Sequence, residues 1–147
     1  MIKQPQLHLL TVGLAILLTT ARTPAQRTFS TTYDASRKVT LEGAVTKLEW
    51  ANPHAYLYVG VEDETGKSET WTFEMGSLSA LQKAGWRKDT VKMGDTVTVD
   101  GWLARSKSKT NTANMKAIWL SNGRELSGAS SIGDTERHEE IKPKASN

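Results

Sequence analysis

Residues 39–50 alternate apolar and polar side chains, but the alternation changes phase partway. Val39, Leu41 and Val45 share one parity, whereas Leu48 and Trp50 share the other. Side chains of a β-strand alternate faces with period two, so one strand can keep both sets inside only by inserting an extra residue. A bulge or sharp bend is therefore expected between Gly43 and Lys47. Bent first strands of this kind belong to small, strongly coiled barrels.

The runs that follow fit the same picture. Pro53 has no N–H to give a ladder and ends the first run, and Asn52 suits the turn. Residues 54–62 then alternate cleanly, with Ala55, Leu57, Val59 and Val61 on one face and His54, Tyr56, Tyr58 and Gly60 on the other. Asp63, Glu64, Thr65 and Gly66 read as a hairpin turn, with Gly66 supplying the positive φ. A third strand over 68–75 places Trp71, Phe73 and Met75 inward and Thr70, Thr72 and Glu74 outward. The one convincing helix follows: Ser77 as N-cap, Leu78, Leu81 and Ala84 at helical spacing, and Gly85 as the stop. At about two turns it is too short to stand alone and must cap something. The turn at 93–95 leads into a fourth strand over 96–104, with Val97, Val99 and Leu103 inward and Trp102 outward. A polar, basic loop spans 105–114, a fifth strand 115–120, and the Asn122-Gly123 hairpin signal leads to a short sixth at 124–126.

Five to six strands with a single short helix between the third and fourth is the element order of an OB-fold, a small Greek-key barrel. The expectation is a mainly β, OB-fold-like barrel over residues 39–127, with a generic antiparallel sandwich as the rival. In OB-folds ligands lie across strands two and three, between the first-to-second and fourth-to-fifth loops, which here are 51–53 and 105–114.

The flanks carry other information. Lys3, the apolar stretch 7–18 and the small-residue run Thr23-Pro24-Ala25 read as a signal peptide over 1–25, with an uncleaved anchor as the alternative. The stretch is shorter than the roughly 20 residues of a membrane-spanning helix, and no second candidate follows. Export to a periplasm or to the exterior is expected, with no transmembrane segment after cleavage. The chain has no cysteine, so a disulfide framework and lipoprotein acylation are both excluded and stability must come from the core. Residues 26–38 read as a polar leader strapped down by Phe29 and Tyr33, and 128–147 as a disordered tail. The formal charge of +3 loses Lys3 and Arg22 on cleavage and falls to +1. Nucleic acid is therefore an unlikely partner.

The chemistry available is sparse. Of three histidines, His8 lies in the signal and His138 in the tail, which leaves His54 alone in the folded part. A transition-metal site needs three or four imidazole or soft ligands, and Met75, Met93 and Met115 are spaced as core or loop residues. No metal and no cofactor is expected. No Gly-x-Ser-x-Gly elbow occurs, Ser77 is accounted for as a cap, and Asp63 and Glu64 share a hairpin turn, so no catalytic residue is assigned. What remains is an outward stripe of His54, Tyr56 and Tyr58, joined by Trp102 and rimmed by Arg105, Lys107 and Lys109. Such a stripe is a stacking platform with a basic edge, although aromatic residues also cover pleated surface without binding anything. Trp50, Asn52 and Pro53 read as the structural turn that reverses the bent strand. His54 is expected to order that loop by bonding a backbone carbonyl or packing on Trp50. The functional expectation is an exported, non-enzymatic binding module for a small molecule, glycan or peptide. The alternatives are an interaction subunit of a cell-envelope assembly and, more weakly, a polyanion or metal binder.

The runs Val39-Thr40-Leu41-Glu42-Gly43, Glu49-Trp50-Ala51-Asn52-Pro53-His54, Ala84-Gly85-Trp86, Gly94-Asp95-Thr96-Val97-Thr98-Val99 and Asn122-Gly123-Arg124-Glu125-Leu126 resemble an uncharacterised bacterial family of small exported proteins, known only as a domain of unknown function. The resemblance covers about residues 29–126, and its most specific element is the Trp-x-Asn-Pro-His run. It implies no activity, ligand or catalytic residue. Members of that family usually carry a His-His pair shortly after the signal peptide, where this chain has Gln26 and Arg27, so any metal affinity of that pair does not carry over.

Overall fold

The computed structural model describes residues 31–130. Strand β1 (Tyr33–Glu49) pairs with β2 (Tyr56–Glu62), first through Ala44 with Gly60 and Val45 with Val59, and then, after a slip, through Lys47 with Tyr58, Leu48 with Leu57 and Glu49 with Tyr56. Thr46 is the extra residue, inside the window where the change of phase places it. The bulge lets Val45 enter the core from one parity while Leu48 and Trp50 pack on the same core from the other. Close approach of the two strands depends on Gly43: a Cβ there would run into the Gly60 carbonyl oxygen and the Val59 side chain.

From β2 the chain turns through 63–66 into β3 (Ser68–Glu74). The Asp63 carboxylate organises this turn by accepting from the Thr65 N–H at 2.8 Å, the Thr65 hydroxyl at 2.6 Å and the Lys67 N–H at 3.0 Å. Gly66 takes a φ of 80°. Helix α1 (Leu78–Lys83) follows, capped by the Ser77 hydroxyl, which accepts from the Ala80 N–H, and stopped at Gly85 with a φ of 92°. Asn52 adds a second cap from a distance: its Oδ1 accepts from the Leu78 N–H at 3.1 Å, so the turn after β1 is tied to the start of the helix. Strands β4 (Thr96–Ala104), β5 (Thr112–Leu120) and β6 (Glu125–Ser127) complete the sheet.

The strand order is β3-β2-β1-β4-β5-β6, and a short parallel pairing of β3 with β5 closes the ring β1-β2-β3-β5-β4. A closed five-stranded ring with the helix between β3 and β4 is the OB-fold arrangement, and β6 extends it beyond β5. The ring is uneven, since β3 meets β5 only from Thr72 to Glu74 whereas β2 meets β3 along its whole length. Inside lie Leu57, Val59, Phe73, Leu81, Trp86, Val99, Met115 and Ile118, all at 0 % exposure. Trp86 satisfies its indole N–H by donating to the Ser127 carbonyl at 2.8 Å.

Three boundaries differ from the sequence expectation. β1 starts at Tyr33, inside the stretch read as a leader, because residues 33–44 find a partner in β4 that local pattern cannot reveal. β5 starts at Thr112 and shortens the basic loop to 105–111. Gly128 and Ser130, read as the start of a tail, are buried, with the Gly76 N–H donating to the Gly128 carbonyl at 2.8 Å. The proposed signal peptide, Phe29, His138 and the rest of the tail lie outside the described residues.

Candidate functional site

The bulge in β1 places Lys47 and Glu49 on the outer face beside Tyr58 and Tyr56, and the β2–β3 register sets Tyr56 opposite Glu74 and Tyr58 opposite Thr72. The inward residues of β2, Ala55, Leu57 and Val59, are at 0 % exposure, while His54, Tyr56 and Tyr58 on the other parity are half-buried. His54, Tyr56 and Tyr58 therefore share the outer face, set among carboxylates.

Glu74 is the hub. Its Oε1 lies 3.1 Å from His54 Nδ1, and its Oε2 accepts from the Tyr33 hydroxyl at 2.7 Å. The glutamate side chain is only 18 % exposed and that of His54 41 %. The imidazole is thus oriented by a carboxylate on one nitrogen, with Nε2 on the far side of the ring. This corrects the expectation that His54 orders its loop through a backbone carbonyl or Trp50. Burial, followed by the hydrogen bond to Glu74 and the charge of Glu74, holds the Tyr33 proton well above the ordinary tyrosine range. Burial and then the same carboxylate raise Tyr56.

A second carboxylate arranges the other end of the stripe. Glu49 Oε2 accepts from Lys47 Nζ at 3.1 Å and from the Tyr58 hydroxyl at 3.3 Å, and Lys47 Nζ stands 5.1 Å from the centre of the Tyr58 ring. The lysine hydrogen bond and charge hold Glu49 below the usual carboxylate range, and Glu49 in turn raises Lys47. The result is a face with two phenols, an imidazole and an ammonium group, of which the Tyr58 phenol, the imidazole and the ammonium are each positioned by a carboxylate.

Trp102 requires a correction. It points away from the main core as its parity requires, yet it is at 0 % exposure, packed with Tyr33 and Ala104 in a separate buried cluster. The N-terminal end of β1, paired through Tyr33 with Ala104, covers it. Parity reports which side of a sheet a residue faces, and the covering segment comes from residues 31–38, remote in sequence. The basic rim is also different from its expected form. Arg105 Nη1 lies 3.4 Å from Asp34 Oδ2, and the Arg105 N–H donates to the Thr32 carbonyl at 2.9 Å, so this arginine secures the N-terminal segment. Lys107 and Lys109 stand exposed on the loop, whose far end reaches β3 through the Asn111 carbonyl, which accepts from the Thr72 N–H. Trp50, Asn52 and Pro53 lie in the connection between β1 and β2, with Trp50 packed on the core and the Asn52–Pro53 peptide cis.

Glu49, Glu74 and Tyr33 are the residues that sequence reasoning misses. Glu74 has outward parity in the third run, but only the register between β2 and β3 reveals that it faces Tyr56. Among the described residues no three His, Cys, Asp or Glu side chains gather as a metal site would require, and no helix is long and apolar enough to cross a membrane.

Comparison with known proteins adds a family and a weak structural likeness. The model of a family of unknown function, DUF6152, matches residues 15–114. No curated protein matches the sequence. Two crystal forms of the mitochondrial single-stranded DNA binding protein Rim1 from S. cerevisiae superpose with TM-scores of 0.47 and 0.45, each at 13 % identity over 60 % of this chain, covering 93 % and 94 % of Rim1.

Proposed function

We propose that this chain, which belongs to the DUF6152 family of unknown function, is a non-enzymatic binding module whose ligand, a small molecule, glycan or peptide, lies across the outer face of β2. The observation that carries this reading is the outer-face array: Tyr56, Tyr58 and His54 are half-buried side by side, and Glu74 and Glu49 hold the imidazole and the Tyr58 phenol in place. Fixed rings offer stacking area at little entropic cost, and oriented imidazole and phenol groups supply directional hydrogen bonds. This favours a ligand with flat or ring-shaped apolar surface and polar edges. Two carboxylates among the rings disfavour a phosphate backbone, which is why polyanion binding ranks below. The signal-like first 25 residues support action outside the cytoplasm.

A second reading, docking onto another protein of the same compartment, draws on β1. Residues 38–43 pair with β4 on one side, while pairing with β2 begins only at Ala44, which among the described residues leaves one backbone edge for strand addition.

The test is an NMR screen of glycan, peptide and small-molecule libraries against the chain lacking residues 1–25. Hits should shift the amides of residues 54–58, and replacing Tyr56 and Tyr58 together by Ala should abolish them while circular dichroism stays unchanged. Hits that cluster elsewhere, or that survive the double replacement, would refute the reading. Strand addition would instead shift the amides of residues 38–43.

A further inference from the structure

We propose that this face continues beneath Tyr33 into a covered subsite for a hydroxylated aromatic ring, built from Glu74, Asn114 and Trp102, with Tyr33 as its tethered resident occupant. The inference rests on the reading of the outer face as a binding surface.

Around the ring of strands, Glu74 on β3 pairs with Asn114 on β5, and Asn114 pairs with Trp102 on β4, so the three occupy consecutive outward positions. Outward positions of a small barrel normally meet water, yet Asn114 is 4 % exposed, Trp102 0 % and Tyr33 3 %. Tyr33 supplies the cover. Its ring joins Trp102 and Ala104, and its hydroxyl donates to Glu74. The pocket is thus shaped for a phenol and already holds one.

The second observation is Asn114. Its Oδ1 is fully buried and has no hydrogen-bond partner among the described residues. A buried acceptor without a donor is unfavourable, and such groups are uncommon in folded proteins unless something else satisfies them. A phenol carries a single O–H proton, and that of Tyr33 goes to Glu74, so Tyr33 cannot also serve Asn114. The site therefore suits a ring with two donors, one for each oxygen, better than it suits its present occupant.

The occupant is also built to leave. Tyr33 pairs with Ala104 and the next pair is Lys38 with Trp102, with an irregularity between them, and Ala35, Ser36 and Arg37 are exposed. Tyr33 can swing out on this segment, releasing the Arg105 contacts to Thr32 and Asp34, while the β1–β4 pairs from Val39 onward stay in place. An incoming ring would then exchange with Tyr33 one for one, and Tyr33 sets a threshold that weak ligands do not pass.

Calorimetry of a Tyr33→Ala variant with three probes tests this. 4-Methylcatechol should bind at least about tenfold more tightly than toluene, as a hydrogen bond to a carboxylate implies, with p-cresol between them. Wild type should bind 4-methylcatechol more weakly than the variant. Equal affinity for 4-methylcatechol and toluene, or no gain on removing Tyr33, overturns the subsite; equal affinity for p-cresol and 4-methylcatechol overturns the part given to Asn114. If Tyr33→Ala does not fold, hydrogen exchange on wild type decides. Saturating 4-methylcatechol should accelerate exchange of the Arg105 N–H, which the Thr32 carbonyl protects, and unchanged exchange overturns the proposal. Neither probe set reads Tyr56 or Tyr58. Loss of catechol binding alongside hits that depend on Tyr56 and Tyr58 would therefore sink the subsite and leave the outer-face reading standing.

Discussion

Replacing Tyr33 by Phe removes one oxygen and leaves the ring that covers Trp102. The lost interaction is a 2.7 Å bond from a phenol to the carboxylate of Glu74, in a site where Tyr33 is 3 % exposed. Hydrogen bonds to charged groups contribute about 1.5–3 kcal/mol. Glu74 keeps His54 as a partner and its side chain is 18 % exposed, so water can partly replace the phenol and the lower end of that range applies, about 1.5 kcal/mol. For a domain of this size, with a urea m-value of about 1.5 kcal/mol/M, the midpoint should fall by roughly 1 M near neutral pH. A double-mutant cycle with Glu74→Gln should return a coupling of about 1–2 kcal/mol. Alkaline pH gives an independent check. The folded state raises the Tyr33 pKa, so above about pH 10 the unfolded chain releases this proton while the folded chain keeps it. Stability from Tyr33 is therefore complete below pH 10 and declines above it, by up to about 1.4 kcal/mol for each pH unit. The advantage of wild type over the Phe variant should narrow accordingly. A variant as stable as wild type, a coupling under about 0.3 kcal/mol, or parallel alkaline curves would refute the reasoning.

Two further changes probe the frame that presents the site. Asp63 is held below its ordinary pKa by the Thr65 hydroxyl and then the Lys67 N–H; its contribution is present above the unfolded value of about 3.9 and is lost as pH falls through the lower folded value. Asp63→Ala should flatten the acid limb of the stability curve, measured by urea unfolding across that window, and an unchanged limb would exclude this role. At Gly43, a Cβ would meet the Gly60 carbonyl and Val59, so Gly43→Ala should cost about 2–3 kcal/mol. Gly66→Ala, with open space but a φ of 80°, should cost only about 1 kcal/mol by the same measurement; a reversed order would mean that β1 and β2 can separate at little expense.

Much of the barrel is legible because it is written locally. The change of phase between Val45 and Leu48 marks the Thr46 bulge, the alternation of residues 54–62 sets His54, Tyr56 and Tyr58 outward, and Ser77 and Gly85 bracket the helix. Each of these signals spans fewer than a dozen residues and obeys a periodicity or a capping preference. Exposure has no such local signature. Trp102 and Tyr56 are both outward aromatics in strands, yet one is sealed and the other half-open, because the segment that seals Trp102 begins at Tyr33, some seventy positions earlier in the chain.

Glu74 shows what this means for the site. In an alternating run an outward glutamate implies only contact with water, and water alone would leave its carboxylate free to reorient. The antiparallel register of β3 with β2 instead sets it opposite Tyr56, the turn after Pro53 brings His54 to one oxygen, and the pairing of β1 with β4 carries Tyr33 to the other. Contacts from two separate parts of the chain, Tyr33 and His54, converge on one side chain, so the histidine that looks solitary in the sequence is held in place by long-range topology. Any ligand that reaches the outer face meets an imidazole and the Tyr58 phenol already oriented, and much of the entropic cost of arranging them is met during folding. The same convergence couples the face to its cover: a group that competes with Tyr33 for Glu74 also changes the partner that orients His54. Binding at the covered subsite and binding at the open stripe should therefore be energetically linked through this one carboxylate.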